Sequence, residues 1–343
     1  MRIGSFELPN SVFVAPMAGV TDRPFRMLCK KFGAGYAVSE MVTSRKDLWK
    51  TLKTSRRLDH TGEPGPIAVQ IAGTDPLMMA LAAKYNIDRG AQILDINMGC
   101  PAKKVCNQWA GSALMQNEPL ALQIVEAVVN VAQQNNIPVT LKMRTGWDAN
   151  NKNAVSLAQG AESVGVQMIT VHGRTREQGY KGMAEYDTIA QVKASISIPV
   201  VANGDIDSVF KAEEVLKRTR ADAVMIGRAA LGSPWILGEI AHYLKHGTQL
   251  APPLIAQVRC LMIEHLTDHY NLYGAQMGVK SARKHIAWYV KHLPGGEDFC
   301  QYFNTLEDAS IQIKSLCHFL DVLALQGDRM PKHAQISYLE FVS

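Results

Sequence analysis

Met168-Ile169-Thr170-Val171, followed at once by His172-Gly173-Arg174-Thr175, is the stretch on which the fold turns. Four apolar or β-branched residues in a row make a short strand with no polar face, the mark of a strand covered on both sides. Turn-forming and polar residues close it, and a helical pattern follows. The same unit recurs at Val12–Ala15, Tyr36–Ser39, Ile67–Ile71, Ile93–Ile96, Val139–Lys142, Val200–Ala202 and Ala223–Ile226. Eight strand–helix units in about 240 residues is the size of a closed TIM-type barrel. A doubly wound open sheet would more often carry G-x-G-x-x-G after its first strand, where Met17-Ala18-Gly19-Val20 stand instead. The expected class is therefore α/β, a (β/α)8 barrel.

The pattern changes at Ala251-Pro252-Pro253. Beyond it only helical stretches are predicted, over Leu254–Tyr270, Met277–His292 and Leu306–Leu325, separated by Gly274 and by Pro294-Gly295-Gly296. The expectation is a catalytic barrel over 1–245 and a C-terminal helical-bundle domain over 251–343. With 47% hydrophobic residues in 343, a large core can be buried. A net charge of +5 is compatible with a polyanionic partner without requiring one. The six cysteines form no C-x-x-C pair and have no histidines at zinc-finger spacing, so reduced thiols and no metal are expected. The apolar run from Val12 to Val20 is broken by Pro16 and closed by Asp22. It reads as neither signal peptide nor membrane span, which predicts a cytoplasmic protein without a membrane partner.

In a barrel of this type the active site forms where strands end. Pro16-Met17-Ala18 follow the first strand, Gln70 lies in the third, and Asn97 and Cys100 follow the fourth. Lys142 and Arg144 close the fifth, His172 and Arg174 the sixth, Asn203-Gly204-Asp205 the seventh and Gly227-Arg228 the eighth. Loops after the last two strands commonly bind phosphate; Gly204 and Gly227 let backbone N–H groups approach it and Arg228 supplies a fork. Lys142 could stabilise negative charge on a reduced ring, with Gln70 at the ring edge and Met17 over its face. Each has a plainer alternative: turn glycines at 204 and 227, an ion-paired or Schiff-base Lys142, a core His172, a helix-capping Asp205. Gly99 and Pro101 hold Cys100 in a tight turn at the barrel mouth, where it could act as nucleophile or acid, with Lys103 and Lys104 near it and Cys106 close in sequence, which leaves a disulfide between the two open under oxidation.

The runs Ala15–Asp22 (APMAGVTD), Asp95–Pro101 (DINMGCP), Leu141–Trp147 (LKMRTGW), Val171–Thr175 (VHGRT), Ala202–Asp205 (ANGD) and Met225–Arg228 (MIGR) resemble the tRNA-dihydrouridine synthases. Met1–Gly4 and Ala282–His285 are most similar to the bacterial B-type branch, and the resemblance runs to about residue 325 in the same order. It implies a non-covalent FMN reduced by NADPH, and reduction of the C5–C6 bond of a D-loop uridine in tRNA. Pro16, Met17 and Ala18 would line the flavin ring, with Gln70 and Lys142 at its polar edge. His172, Asn203, Gly204, Asp205, Gly227 and Arg228 would hold the ribityl phosphate. Cys100 would donate the proton to C5, and Asn97 would bond the uracil edge. Lys280, Arg283 and Lys284, with Lys291, fall on one helix face flanked by Tyr273 and Trp288, and Arg144 and Arg174 would extend that track as phosphate contacts. Cys106 stands where relatives often carry Asn. A monomer is expected. The competing reading is a small-molecule FMN oxidoreductase of the dihydroorotate or dihydropyrimidine dehydrogenase type.

Overall fold

The computed structural model describes residues 1–106 and 110–331, without the side chains of Lys103 and Lys104. Two short strands, β1 (Arg2–Ile3) and β2 (Phe6–Glu7), form an antiparallel hairpin ahead of the first long unit. Then come β3 (Val12–Val14), β4 (Tyr36–Ala37), β5 (Val42–Thr43), β6 (Ala68–Ala72), β7 (Ile93–Met98), β8 (Val139–Arg144), β9 (Met168–His172), β10 (Val200–Asn203) and β11 (Ala223–Ile226). All nine pair in parallel in the order β4-β3-β11-β10-β9-β8-β7-β6-β5. A parallel bridge from Val38 to Ala68 links the two ends of that order, so the sheet closes on itself. β4 and β5 are two halves of one barrel strand interrupted between Val38 and Val42, so the eight expected strand positions are filled.

The barrel helices are α1 (Arg23–Lys31), α2 (Leu52–Arg57), α3 (Pro76–Ile87), α4 (Lys103–Cys106), α5 (Glu118–Gln133), α6 (Ala154–Ser163), α7 (Asp187–Ser195), α8 (Val209–Thr219) and α9 (Ile236–His246). Their starts follow from local chemistry. Asp22, Asp75 and Asn117 each accept from a backbone N–H of the first turn, and each is followed by a proline in that turn.

Alternation along each strand sorts the core into two shells. Val69, Ile71, Leu94, Ile96, Leu141, Ile169, Val171 and Val224 point outward to the helices. Phe13, Tyr36, Ile93, Met168, Val201 and Ala223 point into the barrel, where Ile3 and Leu8 of the N-terminal segment join them. This apolar plug fills one end of the barrel, each large side chain contributing about 1.5–3 kcal/mol. Toward the other end the inward positions turn polar, so the strands are not apolar throughout, as their sequence suggested.

Four helices follow: α10 (Ile255–Tyr273), α11 (Ala275–Val290), α12 (Gly296–Thr305) and α13 (Ala309–Ala324). Three match the predicted stretches. The fourth, α12, starts on Gly296, inside the segment expected to separate helices, with Gly295 before it in the left-handed region. Val258, Met262, Leu266, Ile286, Leu316 and Leu320 form the bundle's own core, and Leu28 of α1 and Trp235 belong to it too. The bundle is thus packed on the barrel's first helix. Among the described residues no helix is long and apolar enough to cross a membrane.

Candidate active site

At the polar end of the barrel a cavity of about 650 Å3 opens. Inward parity delivers Gln70, Asn97, Lys142, Arg144, His172 and Asn203 to it from five successive strands, and the loops add Pro16, Met17, Ala18, Cys100, Gly204, Asp205, Gly227 and Arg228. The sequence-predicted cofactor residues and Cys100 all line this one space.

A chain of hydrogen bonds runs from the barrel interior to the cysteine. Thr140 Oγ1 donates to Asp95 Oδ1 at 2.6 Å and Gln70 Nε2 to Asp95 Oδ2 at 2.7 Å. Asn97 Nδ2 donates to Gln70 Oε1 at 2.6 Å. Asn97 Oδ1 in turn accepts the backbone N–H groups of Gly99 and Cys100 at 3.1 and 3.0 Å. Asn97 therefore shapes the cysteine's turn as well as facing the cavity. Burial pushes the Asp95 carboxyl up to about 6.

The Cys100 thiol is also pushed up, by burial and by the neighbouring Cys106, against a lowering backbone contact from Ala102. It is held as SH at neutral pH, which favours an acid over a thiolate nucleophile. Both Cys100 and Cys106 are free thiols. Cys106 Sγ sits 3.5 Å from the Cys100 carbonyl oxygen, which Ser112 Oγ also approaches at 2.9 Å, so Cys106 helps fix the loop. The side chains of Lys103 and Lys104, considered as thiolate partners, lie outside the described residues.

Across the cavity the Lys142 ammonium donates to Asn203 Oδ1 at 3.2 Å, while Asn203 Nδ2 is anchored on the Met225 carbonyl. Burial and the nearby Arg144 lower Lys142 to about 8. Among the described residues no carboxylate forms an ion pair with it, which removes the ion-pair alternative. His172 is driven well below its ordinary value by burial and by Arg144, Lys142, Arg174 and Arg228 around it, so its ring is neutral. Gly204 has φ +122°, and a Cβ there would meet Ala184 Cβ at 2.8 Å and His172 Cδ2 at 3.0 Å. Only glycine fits that place.

Several expected roles change. Arg174, expected to contact RNA phosphate, is 2% exposed. Its guanidinium forks onto Asp205 at 2.9 and 2.6 Å and also reaches the carbonyls of Lys181 and Gly182. Asp205, at φ +48°, further accepts Arg228 at 3.1 Å and the Ala184 N–H at 2.8 Å. Its carboxylate thus orients Arg228 and is committed to protein partners. Arg144, also assigned to RNA, is 1% exposed and binds the carbonyls of Gly99, Thr175 and Gly179. It braces the cysteine turn and the loop after β9. Arg283 turns into the bundle and donates to the Leu306 carbonyl, while Lys284 reaches the Gly19 carbonyl in the loop beside the cavity. Lys280 remains exposed.

Some contributors were not singled out from sequence. Asp95 anchors the hydrogen-bond chain. Tyr180 stands over both Arg144 and Arg228, 5.6 and 5.2 Å from ring centre to guanidinium carbon. Arg176, stacked on Trp147 at 4.4 Å, also lines the cavity. Trp288 of α11, noted only as flanking a basic face, lines it from the bundle side. For Tyr180 and Arg176 the available signal was their position in the loop after a barrel strand.

Comparison with known proteins gives a consistent picture. The family model described as dihydrouridine synthase matches residues 13–324. A tRNA-dihydrouridine synthase B of Xanthomonas axonopodis is 55% identical over 323 residues, covering 94% of this chain and 96% of the relative. Its counterpart in Pseudomonas aeruginosa is 54% identical over 319 residues, covering 93% and 95%. Among solved structures, a 2-naphthoyl-CoA reductase aligns with TM-score 0.56 at 12% identity over 94% of this chain and 69% of that one. Morphinone reductase aligns with TM-score 0.52 at 15% identity over 74% and 90%. At such identities these two speak to the fold alone.

Proposed function

The chain belongs to the dihydrouridine synthase family, which reduces uridine in tRNA to dihydrouridine, and we propose that it does so with bound FMN, NADPH as reductant and Cys100 as proton donor. The observation that carries this reading is the pairing, within one cavity, of a buried lysine that hydrogen-bonds Asn203 and a cysteine held as a neutral thiol.

The residues fit a flavin. The cavity has the volume of a small-molecule site and mixes apolar walls with a few convergent polar groups. Gly204, Gly227 and Arg228 would hold the phosphate, with His172 as a neutral hydrogen-bonding ring beside it. Pro16, Met17 and Ala18 would cover the ring system, and Lys142 and Gln70 would meet its polar edge. When bound, FMN supplies hydride to the uracil C6. The chain's own contribution is at C5: reduction there needs a proton from a group that is neutral at working pH and within reach, and Cys100 meets the first condition. Asn97 holds the turn that presents the thiol and offers the uracil edge a hydrogen bond. Lys142 opposes negative charge on the reduced ring.

A uridine stacked in folded RNA cannot enter a barrel mouth, so the nucleotide must be turned out. We assign residues 1–245 to catalysis and 251–343 to holding the RNA. Lys280, Lys284 and Lys291 would meet the backbone while Trp288 offers a stacking face at the cavity rim. Action as a cytoplasmic monomer goes with this reading.

The test is the visible spectrum of the purified protein. A flavin spectrum bleached by NADPH under anaerobic conditions, and restored by tRNA lacking dihydrouridine but not by free uridine, is expected. A colourless protein that FMN cannot reconstitute would overturn the cofactor assignment, and recovery with free uridine would overturn the RNA requirement.

A further inference from the structure

Where α1 meets the bundle lies a second cluster that the reaction does not use. Asp22, His269 and His285 are each about 1% exposed, and their donor atoms lie within 4.8 Å of one another. Asp22 caps α1, His269 sits on α10 and His285 on α11. Asp22 Oδ1 accepts the Phe25 N–H, which leaves Oδ2 without a hydrogen-bond partner. His269 Nδ1 and His285 Nε2 are likewise unpartnered.

The hydrogen bonds of Ser281 fix which nitrogen of His269 is bare. The Ser281 hydroxyl donates to the Met277 carbonyl at 2.7 Å, so its oxygen can only accept from His269 Nε2, also at 2.7 Å. Nε2 therefore carries a proton, and Nδ1 faces Asp22 Oδ2 across 3.6 Å. That separation is too long for a charge-assisted hydrogen bond. It is close to the roughly 3.3 Å between ligands that share a tetrahedral zinc with 2.0–2.1 Å bonds.

We propose that Asp22, His269 and His285 form a site for a divalent transition-metal ion, zinc by its donor set, which fastens the first barrel helix to the helical bundle. Two imidazoles and a carboxylate suit zinc and leave a coordination position open. Ser281 supplies the outer hydrogen bond that orients a ligating histidine. His265 packs against His285 with ring centres 5.1 Å apart. Zinc-finger spacing is absent because the ligands come from three separate helices and none is a cysteine. His285 also packs edge-on against Trp288 at 5.1 Å, so the ion would stiffen the helix that presents Trp288 to the active-site cavity.

The experiment uses the full-length flavin-loaded protein, dialysed against equimolar zinc and passed over a chelating resin. Elemental analysis is expected to find stoichiometric zinc, and crystals should show an anomalous peak at the zinc edge between Asp22, His269 and His285. H285Q and D22N should each lose the metal while keeping the flavin spectrum. Zinc-free protein without an anomalous peak would overturn the proposal and leave an Asp22–His269 ion pair in its place. So would zinc retained undiminished in H285Q. Should a variant fail to fold, the anomalous map of the unaltered protein decides alone.

Discussion

The Gln70 side chain donates to Asp95 at 2.7 Å inside the barrel, in a place where Asp95 is 2% exposed. That carboxyl is raised from 3.8 to about 6, so protonation stabilises the fold. The stabilisation is complete below the unfolded value and is lost as pH rises through the folded one, a difference of about 3 kcal/mol at most. D95N, whose amide stays neutral, should therefore raise the thermal midpoint over wild type above about pH 6 and match it near pH 4. Thermal unfolding of both proteins across that range checks this; a gap that persists at the acid end would place the cause elsewhere.

Cys100 supplies a sharper kinetic expectation. C100A should lower turnover on tRNA by about 100- to 10,000-fold, the usual weight of a general acid. The flavin spectrum and its bleaching by NADPH should be unchanged. Because burial holds the thiol above its ordinary 9.0, wild-type activity should fall only at strongly alkaline pH, and the residual activity of C100A should lack that limb. Single-turnover oxidation of the reduced protein by tRNA separates the two steps.

Arg174 and Lys280 should behave in opposite ways. R174A removes the fork on Asp205, whose partly exposed carboxylate keeps Arg228 and the Ala184 N–H, so the cost should be about 1–3 kcal/mol. It should lower stability and flavin affinity without changing the salt dependence of tRNA binding. K280E, on an exposed face, should weaken tRNA binding and reduce its salt slope by about one, with flavin and stability untouched. Binding titrations at several salt concentrations distinguish the two; a reduced slope for R174A would restore its role as a phosphate contact.

What was legible in the sequence, and what was not, follows from these cases. The eight strands could be counted because the outward shell of Leu94, Ile96, Leu141 and Ile169 and the short connections leave a strong local signature. The strand-end residues could be placed because the architecture dictates where strands point. Direction in space beyond the strand end was not legible. Arg174 and Arg144 looked like free cations, since nothing local announces that the carbonyls of Lys181, Gly182, Thr175 and Gly179 will fold back onto them. Helix α12 was hidden because it starts on a glycine without a capping side chain. Trp288 lines the active site only because two helices dock, which is tertiary information.

Lys142 allows a test that needs no RNA. Burial and Arg144 lower it from 10.5 to about 8, so folding penalises the charged form. The penalty is full below about 8 and disappears as pH rises toward the unfolded value, worth about 3 kcal/mol at neutrality. K142M should raise the thermal midpoint of flavin-free protein at neutral pH. It should weaken flavin binding about 10- to 100-fold, the loss of one charged hydrogen bond. Calorimetry with and without FMN reads both; a K142M protein that binds flavin normally would remove Lys142 from the ring edge.

The floor of the barrel sets a rule of traffic. Ile3, Leu8, Phe13, Tyr36 and Met168 stopper the far end, so the vestibule above Lys142 and Cys100 is a cul-de-sac. With the proposed NADPH as reductant, nicotinamide and nucleobase would queue for the same berth, one departing before the other can dock. Steady-state data taken at several fixed levels of each should then give parallel double-reciprocal lines, with each ligand competing against the other at high concentration.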